Sequence, residues 1–343
     1  MTTPDLFSFF ESAHERRSPV EPGVLPTYAP TTAGAASCAD LLADLNGPQR
    51  EAVLHSGSPV LVVAGAGSGK TRVLTRRIAH LVGERGVHPG SILAITFTNK
   101  AAAEMKARVV DLVGNRAKPM WVSTFHSAAV RMLRADIDRL DISRNFSIYD
   151  DADAKRLITL VTRDKNLDPK KFQPRAIMNW ISNQKNELIA PDQAVATARS
   201  GNDRTNAEVY GEYQRRLRAA NALDFDDLIM CTVTMLRRFP EVREQYRRRF
   251  RRVLVDEYQD TNTAQYQFIR ELCGDDAPGA TDGAPSVDSP ELMVVGDSDQ
   301  SIYAFRGATI RNIIDFEKDF PGARTIRLEQ NYRSVSYTHL RAH

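Results

Sequence analysis

The stretch Val60-Leu61-Val62-Val63-Ala64-Gly65-Ala66-Gly67-Ser68-Gly69-Lys70-Thr71 decides the fold. Four apolar, mostly β-branched residues predict a buried parallel strand. A Gly-rich turn follows, then Lys-Thr and a helix-period run through Leu74, Ile78, Leu81 and Val82. Strand, loop and helix in that order make a phosphate-binding loop. Glycines let the backbone curl so that successive N–H groups aim at one anion, held at the positive end of the helix. Ala64, Gly65, Ala66, Gly67, Ser68 and Gly69 would form the cradle. Lys70 would reach the β- and γ-phosphates of a nucleotide, and the Thr71 hydroxyl would hold Mg²⁺. The strict pattern opens on Gly where this chain has Ala64. A methyl group is tolerable there if the residue needs no positive φ. The competing reading is an ordinary Gly-rich turn, which leaves the Lys-Thr pair and the helix behind it without a reason.

Composition bounds the rest. A chain of 343 residues can build about two domains with sizeable cores. Its apolar and charged fractions are those of a soluble globular protein. No apolar run approaches the length of a membrane span, and the N-terminus lacks a basic-then-apolar signal pattern, so no membrane partner is expected. Cys38, Cys231 and Cys273 are widely spaced and odd in number. They suggest neither a disulfide framework nor a metal site, and a reducing cytoplasm is the default. The net charge of +3 says nothing by itself about nucleic acid. Arg247, Arg248, Arg249, Arg251 and Arg252 cluster, with Arg215, Arg216 and Arg218 upstream, but solvated helix faces explain each cluster as well.

Residues 1–40, rich in Pro, Ala, Thr and Ser, read as a disordered extension. Order is expected from Leu41, with a short helix over Gln49 to His55 after Asn46-Gly47-Pro48. Further strands are predicted at Ser91–Phe97, Trp121–Thr124, Val253–Val255, Leu292–Val295 and Thr325–Leu328. Between about 130 and 220 strand signals are few and helical periodicity dominates, which reads as a helical insertion whose Trp180 is core. Asn221 to Leu228 is read as a helix start, with Asp residues suited to its first turn. Cys273 to Pro290 reads as a surface insertion.

Polar and aromatic residues gather where these strands end, which is where a doubly wound sheet binds ligands. A nucleotide triphosphatase needs a carboxylate for Mg²⁺ and a group to orient or deprotonate water. Asp256, directly after a strand, suits the metal, and Glu257 suits the base. At other strand ends, Gln300 could sense the γ-phosphate and Arg333 could neutralise charge developing in transfer. Phe97, Phe125, Phe225, Tyr303 and Phe305 recur at the proposed edge, near the small donors Thr98, Asn99, Thr124 and His126. Aromatic faces that stack on bases, with polar groups for phosphates, are the recipe for sequence-tolerant single-strand binding.

Together these segments resemble the superfamily 1 DNA helicases of the UvrD/Rep/PcrA type, in wording nearest the PcrA members. Eight ordered blocks carry the resemblance: LNGPQREAV (45–53), AGAGSGKT (64–71), ITFTNKAAAEM (95–105), STFHS (123–127), DFDDLI (224–229), VDEYQDTN (255–262), VVGDSDQSIYAFRGA (294–308) and LEQNYRS (328–334). The resemblance implies an α/β fold: a RecA-like P-loop NTPase parallel sheet flanked by helices, with an inserted all-helical subdomain. The expected bounds are 41–130 and 215–324 for the RecA-like domain, 131–214 for the helical subdomain, and 325–343 for the start of a truncated second RecA-like domain. It also implies ATP and Mg²⁺ as cofactors, single-stranded DNA and DNA junctions as partners, and 3′-to-5′ translocation with strand separation in repair or replication. By position, Gln49 should read the adenine edge with Arg72 and Tyr332 packing on the base, and Gln300 and Arg333 should meet the γ-phosphate. Phe97, His126, Phe225, Tyr303 and Phe305 should line the strand track. Phe305 stands where family members usually carry Trp. After LEQNYRS the residues Val335 to His343 do not read as the family's apolar helix, so a truncated or misjoined reading frame is expected. Two other classes stay open: a nucleotide-dependent DNA-binding module with little hydrolysis, and a P-loop phosphotransferase acting on a small molecule.

Overall fold

The computed structural model describes residues 38–274, 289–297 and 316–330. Its centre is a six-stranded parallel sheet in the order β3-β2-β6-β7-β1-β8. These strands are β1 (Val60–Ala64), β2 (Ile92–Thr96), β3 (Trp121–Thr124), β6 (Arg252–Val255), β7 (Glu291–Gly296) and β8 (Arg324–Leu328). A short parallel pair, β4 (Ser147–Tyr149) and β5 (Ala222–Asp224), stands apart from it.

Side chains that alternate along each strand divide the apolar residues between the two faces. Val60, Val62, Ile92, Ala94, Leu254, Met293 and Val295 belong to one core. That core is closed by α1 (Cys38–Ala43), α2 (Gly47–Leu54), α3 (Lys70–Gly83) and α4 (Asn99–Val113). Leu61, Leu93, Ile95, Val253, Val255, Leu292 and Val294 belong to the other. It is covered by α5 (Phe125–Asp136), α10 (Phe225–Arg238), α11 (Pro240–Arg249) and α12 (Thr263–Cys273). Helices on both faces of a parallel sheet give the α/β architecture expected from the sequence.

A third core, from Ala154 to Ala222, holds the insertion together. It is built by α6 (Asp151–Asp164), α7 (Pro174–Asn186), α8 (Pro191–Thr197) and α9 (Gly201–Ala219). Trp180 packs against this core, partly buried. The chain departs at β4 and returns at β5, which pair as Ile148↔Leu223, so the insertion has a narrow neck.

Four boundaries differ from the sequence reading. Position 131 falls inside α5, whose Met132 and Leu133 pack in the sheet core; Leu217, beyond 214, belongs to the insertion core. The insertion is therefore bounded by its neck, not by the ends of a helical pattern. Asn221 to Leu228 is not one helix start: Ala222–Asp224 is strand, and α10 begins at Phe225 behind the Asp224 cap. Arg324–Leu328, expected to open a second domain, is instead the sheet's edge strand, in parallel register with β1 from Val60↔Arg324 to Ala64↔Leu328. Residues 1–37, 275–288, 298–315 and 331–343, and the expectations placed on them, lie outside the described residues.

Candidate functional site

The strand order places the C-terminal ends of β1, β7 and β6 side by side, with β2 and β3 beyond them. Each end carries polar residues, so one sheet edge presents two neighbouring regions.

At the first, β1 runs into the Gly-rich loop and α3 starts at Lys70. Gly67 (φ 75°) and Gly69 (φ 89°) take the left-handed conformation that a side chain resists. Ala64 is still strand, paired with Leu328, so its methyl group meets no such strain. The Ser68 hydroxyl donates to the Gly65 carbonyl at 2.7 Å and tightens the turn. Gln49 backs the loop. It is the third residue of α2, where its side-chain oxygen accepts the Asn46 N–H in a capping box and its Nε2 donates to the Ser68 carbonyl at 2.8 Å. Gln49 is fully buried and braces the loop from behind. A Cβ on Gly69 would stand 2.8 Å from that Nε2. Arg72 is exposed on the first turn of α3.

The carboxylates come from the neighbouring strand ends. Lys70 Nζ lies 3.2 Å from Glu257 Oε2 and 3.4 Å from Asp297 Oδ2. Glu257 has φ 49°, a left-handed backbone that costs a β-carbon residue about 1–2 kcal/mol. Gln259 Nε2 donates to Glu257 Oε2 at 2.8 Å, and the Asp297 N–H donates to Gln259 Oε1 at 2.9 Å. Gln259 thus ties the ends of β6 and β7. Asp256 donates its N–H to Ile95 O and accepts the Glu257 N–H at 3.0 Å. Burial, then the charge of Glu257, pushes the Asp256 carboxyl up to about 6.

These residues suit a divalent cation. Three carboxylates, Asp256, Glu257 and Asp297, face one ammonium, and the Thr71 hydroxyl and Asp256 are hard oxygen donors. Among the described residues no group of three His, Cys, Asp or Glu makes a self-sufficient cage. A cation here would be one shared with phosphate oxygens, as Mg²⁺ usually is.

At the second region a cleft of about 870 Å³ opens between the sheet edge and the insertion. Phe97, Thr124 and His126 line it from β2, β3 and α5, and Phe225 and Asp226 from the first turn of α10. Phe225 is 42 % exposed, and its ring meets His126 edge-on at 5.9 Å. Burial pushes the His126 imidazole below its ordinary value and so favours the neutral ring. Phe125, expected in the platform, also lines the cleft but is only 2 % exposed, and its ring meets Phe97 edge-on at 6.5 Å. Thr98 and Asn99 are exposed but outside the cleft lining. Thr98 caps α4, Thr124 caps α5, and Ser127 Oγ donates to Asn99 Oδ1 at 3.4 Å, linking the two helix starts. Both offer N–H groups suited to an anion.

One short turn joins the regions. The Asp260 N–H donates to the Glu257 carbonyl at 2.9 Å, and Asp260 lines the cleft. Burial, then Glu257, pushes its carboxyl up to about 6. Sequence reasoning gave no role to Gln259, Asp260 or Asp297. The signal was present in VDEYQDTN and GDSDQ, since adjacent parallel strands bring both blocks to one edge. Gln300, Tyr303, Phe305, Tyr332 and Arg333 lie outside the described residues.

Residues 45–321 match the family described as UvrD/REP helicase N-terminal domain. The chain is 62 % identical over 306 residues to ATP-dependent DNA helicase UvrD1 of Mycobacterium tuberculosis, covering 88 % of this chain and 39 % of the relative. It is 60 % identical over 300 residues to UvrD1 of Mycobacterium leprae, covering 86 % and 38 %. Against ATP-dependent DNA helicase PcrA of Bacillus subtilis it is 53 % identical over 295 residues, again 86 % and 38 %. The chain therefore spans about 39 % of the length of the curated relatives it matches.

Proposed function

Since the chain belongs to the UvrD/REP helicase family through its N-terminal domain, we propose that it serves an ATP-dependent 3′-to-5′ DNA helicase, coupling ATP hydrolysis to movement on single-stranded DNA and to strand separation at junctions in repair or replication. The observation that carries this reading is the shared sheet edge. The Lys70–Glu257–Asp297 pocket and the Phe225–His126 cleft stand on it together, joined through Asp260.

In this reading the loop N–H groups and Lys70 hold the triphosphate, whose oxygens compete with Glu257 and Asp297 for the ammonium. Glu257, released, orients and deprotonates the attacking water. Thr71 and Asp256 would hold Mg²⁺, which supplies charge neutralisation at the phosphates. Gln300 and Arg333 are assigned to the γ-phosphate. Arg72 and Tyr332 are assigned to the base, with Gln49 reaching its edge only by giving up Ser68. Phe97, His126, Phe225, Tyr303 and Phe305 are assigned to bases of the strand, and Thr98, Asn99 and Thr124 to its phosphates. The place of action is the cytoplasm. Among the described residues no helix is long and apolar enough to cross a membrane.

Strand displacement tests the proposal. A duplex with a 3′ single-stranded tail should be opened in the presence of ATP and Mg²⁺, and one with a 5′ tail should not. Equal opening of both, or opening without ATP, would contradict it.

A further inference from the structure

The exposed ring of Phe225 is fixed from behind by a buried charge cluster. Lys185, in the last turn of α7, is fully buried. Its Nζ lies 2.6 Å from Asp224 Oδ2 and 2.9 Å from Asp227 Oδ1. Burial opposes this charge, but the two carboxylates outweigh it and hold Lys185 above an ordinary lysine. The rings of Tyr213 and Tyr210 also lie near its Nζ, at 5.2 and 5.8 Å. Tyr213 Oη also donates to Asp224 Oδ2 at 2.8 Å, and Gln214 Nε2 to the Asp227 carboxylate at 3.1 Å.

The placement of these partners in sequence is informative. Asp224 caps α10 and accepts the Asp227 N–H at 2.9 Å, while the Asp227 side chain returns a bond to the Asp224 N–H. The lysine therefore grips both ends of one helical turn. The two residues between its ligands, Phe225 and Asp226, line the cleft, as does Asp224 itself. Asp226 bonds Ser182, one turn before Lys185 on α7, so the grip crosses from insertion to sheet domain. Next to it Asn262 Nδ2 donates to Asn186 Oδ1 at 2.8 Å.

We propose that Lys185 is a positioning residue for strand binding: by clamping Asp224 and Asp227 it fixes the first turn of α10 and so holds the Phe225 ring at the place where a base stacks. This rests on the reading of the cleft as the strand track. A buried ammonium with two carboxylates is a costly way to join two helices, and apolar packing would serve stability as well. What the ionic cluster adds is direction, because its hydrogen bonds allow one orientation of the turn.

The test is a double-mutant cycle on the full chain, with a 5′-fluorescein oligothymidylate as probe and Mg²⁺·ATP binding as control. Lys185→Met should weaken oligothymidylate binding about tenfold, as Phe225→Ala should, while Mg²⁺·ATP affinity is unchanged. In the Phe225→Ala background, Lys185→Met should add almost nothing, since the group it positions is gone. A general structural role would produce the same fold loss in both backgrounds and would overturn the proposal, as would unchanged binding by Lys185→Met alone. Lys185→Met leaves two carboxylates buried together, so Lys185→Met with Asp227→Asn is measured beside it and read by the same criteria. If Phe225→Ala itself leaves oligothymidylate binding intact, the strand-track reading fails and the proposal falls with it. If Phe225→Ala weakens binding and the lysine variants do not, only the positioning role fails.

Discussion

The two regions of the sheet edge are built on different principles. The pocket at the Gly-rich loop, proposed above to hold nucleotide, is largely a property of the backbone: one loop with two left-handed glycines, then carboxylates delivered by the next two strands in the sheet. Its geometry follows once β1, β7 and β6 are in register. The cleft is a property of side-chain faces drawn from β2, β3, α5, α7 and α10, and its far wall belongs to a separate core. It exists only while the insertion is seated, and that seating runs through polar contacts: buried Lys185 with Asp224 and Asp227, and half-buried Asn186 with Asn262. Strong local order can thus sit beside a region whose order is borrowed across a subdomain seam.

Substitutions can separate the two. The largest effect is expected from Lys70→Ala. It removes the cation from the pocket and should lower ATP turnover by about a hundredfold or more, while oligothymidylate binding without nucleotide stays as it was. Loss of both activities would mean the regions are not separable. Glu257→Gln should keep Mg²⁺·ATP binding and lose turnover to a similar degree, and loss of nucleotide binding there would contradict its role as base.

Phe225→Ala is the reciprocal change. It should weaken oligothymidylate binding by roughly 1–3 kcal/mol and leave Mg²⁺·ATP affinity alone, both read by fluorescence titration. Gly69→Ala sharpens the backbone argument. With φ 89° and Gln49 Nε2 2.8 Å from the new methyl group, the loop must shift. Thermal unfolding should report about 1–2 kcal/mol of lost stability, with weaker nucleotide binding and unchanged strand binding. An unaltered melting curve would show that the loop does not need this conformation.

The smallest effect concerns pH. Burial, then Asp224, pushes the Asp226 carboxyl in the cleft up to about 6. Its protonated form dominates below that value and its charged form above. A charge appearing beside DNA phosphates repels them, so oligothymidylate affinity should fall as pH rises through about 6, by roughly twofold at the separations of a hydrated cleft. Burial favours the neutral form of His126, and any positive charge it lost on the same rise would act in the same direction. Asp260 lines the same cleft and is also pushed up to about 6, so Asp226→Asn should reduce the slope without abolishing it. An identical slope in that variant would remove Asp226 from the account.

The same contrast explains what could be read from sequence. The loop, β3 at Trp121–Thr124 and the Asp256-Glu257 strand end declare themselves locally, because β-branched runs and glycines have few alternatives. A five-residue strand such as Arg324–Leu328 carries no information about which sheet it joins, so its pairing with β1 was not legible. The bounds of the insertion were hidden because α5 and α9 keep one helical period across them. Gln49 was visible as a residue, but its bond to the Ser68 carbonyl was not, because that depends on its third position in α2 and on the loop folded against it. Lys185 gave no signal at all: a lysine in a charged helix reads as solvated until two distant aspartates close over it.

The measurement that tests the account most directly is steady-state ATP turnover by this chain with and without oligothymidylate, at fixed Mg²⁺, with Lys70→Ala as the blank. Two regions on one edge, linked by the Glu257-to-Asp260 turn, predict turnover that rises when the strand is added and is absent from the variant. Turnover that ignores the strand would contradict the account, and would make the pocket an independent phosphate-transfer site with a cleft of unrelated purpose.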